Sequence, residues 1–137
     1  MQDRPDAREL VEAVGIFLQR ELIPTIADPR LRFRALVAAN VLSIVARELQ
    51  EGSEPLHTEW ERLTGLLGKG GSEAPATDRT LRDAVLELNR ELAARIRAGE
   101  MDAAPFYAAA LDHVEATVVA KLRVANPRYL ERISANP

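Results

Sequence analysis

The chain has 137 residues, 47% of them hydrophobic and 28% charged, with no cysteine and a formal net charge of −3. That composition is globular, and a domain of this length buries about two thirds of the surface its unfolded chain exposes. It excludes disulfides, thiolate nucleophiles and cysteine-based metal sites, and the interspersed charges lack the basic face that a nucleic-acid binder presents.

The N-terminal "MQDRPDARELVEAV" carries acids and proline where a signal peptide needs a basic segment and then an apolar one. No apolar stretch approaches the roughly 20 residues that span a bilayer. The reading is a cytoplasmic protein with no membrane segment, folded as a single domain over 1–137.

The first helix is announced by Asp3 and Pro5, and its stripe is Leu10, Val14, Phe17 and Glu21, with Val11, Leu18 and Leu22 beside it. It stops near Pro24, because proline disfavours helical geometry in the residue before it. Asp28 and Pro29 form an N-cap followed by proline at the first helical position, so a second helix runs through "LRFRALVAANVLSIVARELQE" to Gly52. This helix is apolar around most of its circumference and is expected at the centre of the fold.

Ser53 and Pro55 open a third, shorter helix with the stripe Leu56, Trp60, Leu63 and Leu67, and "GKGGSEAPATD" breaks it. The fourth helix starts near Thr77, lines up Leu81, Val85, Leu88, Leu92 and Ile96, and stops at Gly99. The fifth opens at Asp102 to Pro105 with the stripe Tyr107, Leu111, Val114, Val118 and Leu122. Asn126 and Pro127 then start a short terminal helix through Tyr129, Leu130 and Ile133. No period-two run of β-branched or aromatic residues appears, so the fold class is all-α, a bundle of four long helices plus one or two short ones.

Candidate chemistry is sparse. Glu54 and His57 match the Glu-x-x-His of di-metal bundles once, across Pro55, where two such pairs and two further glutamates are needed. His113 lies between Asp112 and Glu115 without a nucleophile at helical spacing, and reads as a boundary histidine satisfied by a carboxylate or carbonyl. "GLLGKGG" lacks the first glycine and the Ser or Thr of a phosphate loop and reads as a connector. No metal, cofactor or catalytic set can be assembled.

Arg30, Arg32 and Arg34 crowd the start of the second helix, where the helix dipole disfavours each cation by roughly 0.3–1 kcal/mol. Two readings offset that cost: pairing with carboxylates of other helices, such as Glu21 or Asp112, or an anion site at the helix start. Asn40 shares a stripe with Phe33, Leu36, Val37, Ile44 and Arg47, so it is predicted to face other helices. A buried unsatisfied amide costs about 1–3 kcal/mol, so it needs a partner, with Asn89 or Glu48 the candidates. It is then a polar pin that fixes helix register. The candidate binding residues are therefore Arg30, Arg34, Asn40 and Arg47.

The stretches "VGIFLQRELIP", "LRFRALVAANVLSIVARELQEG", "LNRELAARIRAGE" and "ATVVAKLRVANPRYL" together resemble a small bacterial family of unknown function. Its members are typically encoded beside aminoglycoside-phosphotransferase-like kinases and acyl-CoA dehydrogenases. The resemblance implies a helical accessory whose partner is such a kinase or dehydrogenase, and it transfers no catalytic residue. The expected function is a non-enzymatic interaction protein, with self-association through the second helix as a homo-oligomer. The alternative is a module binding an acyl or anionic small molecule between helices, in a pocket lined by Phe17, Phe33, Leu36 and Tyr107.

Overall fold

The structure, a computed structural model, describes residues 4–135. Among them the chain is all-α, a helical-bundle protein without a strand: α1 Ala7–Phe17, α2 Pro29–Glu51, α3 Glu54–Leu66, α4 Asp78–Arg97, α5 Phe106–Ala125 and α6 Pro127–Ala135. The helices group into two compact units, one through Gly52 and the other from Ser53 onward. No described helix is long and apolar enough to cross a membrane.

The helix ends follow the capping chemistry. The Asp6 carboxylate accepts from the Glu9 N–H at 2.7 Å, and the Glu9 carboxylate accepts from the Asp6 N–H at 2.9 Å. Two of the first turn's free donors are satisfied in this exchange. After Phe17 the backbone widens into a π turn, Leu18–Leu22, and tightens into a 3₁₀ turn, Ile23–Thr25, around Pro24. Asp28 caps α2 by accepting from the Arg30 N–H at 3.0 Å, and Gly52 closes it at φ +63°, a conformation that a side chain would strain.

In the first unit α1 lies against α2, and the side chains between them are small. The buried residues are Gly15, Ile23, Ala39 and Ala46, and a Cβ added at Gly15 would stand 3.8 Å from Leu42 Cβ. The stripe Leu10, Val14 and Phe17, predicted to face inward, is about half exposed instead. The large side chains of α2 are not turned inward either: Phe33 is 67% exposed, and Leu36, Val37, Val41 and Val45 are exposed with it. A helix with apolar residues on every side has no unique inward face by periodicity, and here close approach through Gly15, Ala39 and Ala46 selects it.

The second unit has a conventional core. Trp60, Leu63 and Leu67 pack with Leu81, Val85, Leu88 and Leu92 of α4, joined by Met101 and by Ala110 of α5. The α3 and α4 stripes lie where the 3.6-residue period placed them, except that Ile96 is exposed. α4 is capped by Thr77, whose hydroxyl accepts from the Thr80 N–H at 3.2 Å, and Gly99 turns the chain at φ +76° just past its end. α5 departs from expectation. Its buried positions are Ala110 and His113, while Tyr107, Leu111, Val114 and Val118 lie outward. Here again the contact face is the one that lets backbones approach.

Leu63 and Leu81 are 0% exposed. Replacing either by alanine is expected to cost about 2–5 kcal/mol in urea unfolding. Leu86→Ala, on the 50% exposed outer side of α4, is expected to cost well under that. Equal losses at all three positions would contradict this core assignment.

Candidate functional site

The polar groups that the second unit buries come from three helices. On α3, Glu59 stands one residue before Trp60, on the flank of the apolar stripe that runs from Leu56 to Leu63, and is carried into the interior at 9% exposure. Asn89 of α4 sits one turn after Val85, and its amide donates to Glu59 Oε1 at 2.8 Å and to the Val85 carbonyl at 3.1 Å. Both amide hydrogens are thereby used, and a buried carboxylate receives a donor from another helix.

On α5, His113 is 4% exposed and its Nδ1 has no hydrogen-bond partner. Arg62 of α3 reaches Thr117, one turn beyond His113, through a guanidinium nitrogen at 3.4 Å, and its own Nε is buried without a partner. Burial pushes the His113 pKa below the ordinary imidazole value, and the positive charge of Arg62 adds to this; Glu59 opposes it, and Lys121 lowers it further. Arg62 and Glu59, three residues apart on α3, thus act on the imidazole in opposite directions. The boundary histidine satisfied by a carboxylate or carbonyl is not what forms: His113 is buried and its Nδ1 has no hydrogen-bond partner.

Beside this cluster, the segment after α3 and the outer side of α4 leave a cleft of 620 Å³, with Trp60 and Leu88 at its apolar wall and Lys69, Glu73 and Glu91 at its rim. Lys69, the lysine of the "GLLGKGG" connector, hydrogen-bonds Glu91, which also accepts from Arg95 at 2.7 Å. The Lys69 hydrogen bond, with Arg95 behind it, holds the Glu91 carboxyl below its usual range. Half-buried His57 lies in the first turn of α3, and no group of three His, Asp or Glu side chains among the described residues could hold a metal ion.

The binding residues singled out by sequence belong to the first unit. Arg30, Arg34 and Asn40 are exposed, and Arg47 is half-buried. Among the described residues none of Arg30, Arg32 and Arg34 makes an ion pair, so the expected pairing with Glu21 is not found. Asn40 is exposed, not the buried pin expected of it, and the Asn89 amide serves Glu59 and Val85. The residues that sequence reasoning passed over are Glu59 and Arg62. Glu59 was legible at i+3 from Leu56 and i−4 from Leu63, a charge set on a core stripe.

An all-α protein whose buried polar cluster carries no metal set among the described residues is the class that fold and site define. The chain belongs to the family described as Domain of unknown function (DUF6285), whose model matches residues 24–129. No curated protein and no solved structure matches it. Membership agrees with the resemblance to a family of unknown function.

Two measurements check the cluster. The His113 pKa is lowered by folding, so the unfolded chain binds more protons below the ordinary imidazole value, and stability falls as pH drops from 7 toward 5. In urea melts across that range His113→Leu is expected to flatten the loss, and an unchanged slope would count against a buried neutral imidazole. Asn89→Leu leaves the buried Glu59 carboxylate without its donor and is expected to cost about 1–3 kcal/mol at pH 7.

Proposed function

We propose that the protein is a non-enzymatic interaction protein, an accessory to a phosphotransferase-like kinase or an acyl-CoA dehydrogenase. The observation that carries the first half is the outward stripe of α5. Tyr107, Leu111, Val114 and Val118 recur at i, i+4, i+7 and i+11, and each is between 44% and 58% exposed. Contiguous exposed apolar surface of this kind marks protein-protein contact. Phe106 on the same helix and Tyr129 and Ile133 on α6 are likewise exposed. The identity of the partner rests on the resemblance alone.

The alternative, an acyl or anionic ligand held in an apolar pocket, has less support. Phe17, Phe33 and Leu36 of the first unit and Tyr107 of the second are each between 49% and 67% exposed. The cleft beside Trp60 has charged side chains at its rim, including three glutamates against two cations.

Native mass spectrometry of tagged protein drawn from its own host tests the reading. A stoichiometric complex with the kinase-like or dehydrogenase protein is expected, and it should be lost in Leu111→Asp while the helical circular dichroism stays unchanged. A chain that carries only a fixed small added mass would transfer the reading to the ligand-binding module. A complex that survives Leu111→Asp together with Val118→Asp would remove α5 as the docking face.

A further inference from the structure

We infer that the outward face of α2 is a homodimer seam, occupied by α2 of a second copy running antiparallel across a two-fold axis near Val41. Positions that alternate four and three residues apart form a coiled-coil seam. On α2 such a series begins at Arg30 and Arg34, passes through Val37, Val41 and Ile44, and finishes at Glu48 and Glu51. Ala39 and Ala46, which bury against α1, occupy the opposite side of the helix, so the seam points away from the hairpin partner. Val37 and Val41 are 47% and 50% exposed, with Phe33 at 67% on the flank, and Ile44 and Glu51 are half-buried.

The order of charges chooses the occupant. The seam is cationic at its start, apolar in its middle and anionic at its end, which makes it complementary to itself only when reversed. At 1.5 Å of rise per residue Arg34 lies about 10 Å before Val41 and Glu48 about 10 Å after it. Arg30 and Glu51 lie about 16 Å and 15 Å away on the same two sides. A two-fold axis at Val41 therefore sets each arginine pair against the other copy's glutamate pair and Val37 against Ile44. An isologous interface has this form, in which residue i meets j and j meets i. A parallel pair would instead stack arginine on arginine and glutamate on glutamate.

The antiparallel arrangement also accounts for two features of the first unit. Arg30 and Arg34 are exposed at the positive end of their own helix, without an ion pair among the described residues, and the second copy brings its negative helix end and its carboxylates alongside. Asn40, exposed and adjacent to Val41, comes to lie opposite Asn40 of the other copy. The amide then fixes the register between chains instead of within one.

Sedimentation equilibrium of the full chain, with its charge variants, decides the matter. The wild type is expected at the mass of two chains. Arg34→Glu alone and Glu48→Arg alone each set like charges against each other twice per dimer, and should weaken association by at least about tenfold. The double variant R34E/E48R restores complementarity and should recover the dimer, with helical circular dichroism unchanged throughout. A wild type that sediments as one chain even in concentrated solution overturns the inference. So does a double variant no more associated than either single one, or single reversals that leave the dimer intact.

Discussion

The two helices of the first unit meet through side chains too small to form a core. Gly15, Ala39 and Ala46 let α1 and α2 approach closely, and apart from Ile23 nothing large is buried with them. The approach turns the bulk of both helices outward: Leu10, Val14 and Phe17 on one, Phe33, Val37 and Val41 on the other. Hydrophobic burial scales with apolar area removed from water, at about 25 cal/mol per Å². A hairpin of this kind recovers little of that term alone. The proposed association through α2 would cover part of that surface, and the segregated charges along the seam would give it a direction.

The second unit shows the contrast. There α3 and α4 bury a full leucine stripe and Trp60, and the core is closed without help. At its α5 edge the packing turns polar, where Glu59, Asn89, Arg62, Thr117 and His113 meet. Glu59 is met by an amide from the neighbouring helix, whereas burial pushes the His113 pKa below the ordinary imidazole value. The outward stripe of α5 is the counterpart of this inward turn: with Ala110 and His113 facing the core, Tyr107, Leu111, Val114 and Val118 have to face away.

Element ends were legible because capping is local. Asp28 with Pro29, Gly52, Thr77, Gly99 and Asn126 with Pro127 each act through the backbone groups of their own turn. Faces were legible only where one side of a helix was apolar, as on α3 and α4. On α1, α2 and α5 apolar residues extend around the helix, and the period of the large ones pointed to a stripe that the structure leaves exposed. The deciding signal was the small residues, Gly15 on α1, Ala39 and Ala46 one heptad apart on α2, and Ala110 on α5. Asn40 and Asn89 show the same ambiguity in polar form. Each sits among apolar neighbours at helical spacing, and only the choice of face separates the amide that is buried beside Glu59 from the one that is exposed.

Directed disulfide formation tests the central claim most directly, because the chain has no cysteine of its own. A disulfide needs Cα atoms about 4.4–6.8 Å apart. In an antiparallel pair centred near Val41, a single Val41→Cys variant should oxidise rapidly to a covalent dimer. Arg34→Cys, about 20 Å from its counterpart at 1.5 Å per residue on either side of the axis, should not. Rapid cross-linking through position 34, or none through position 41, would contradict the account.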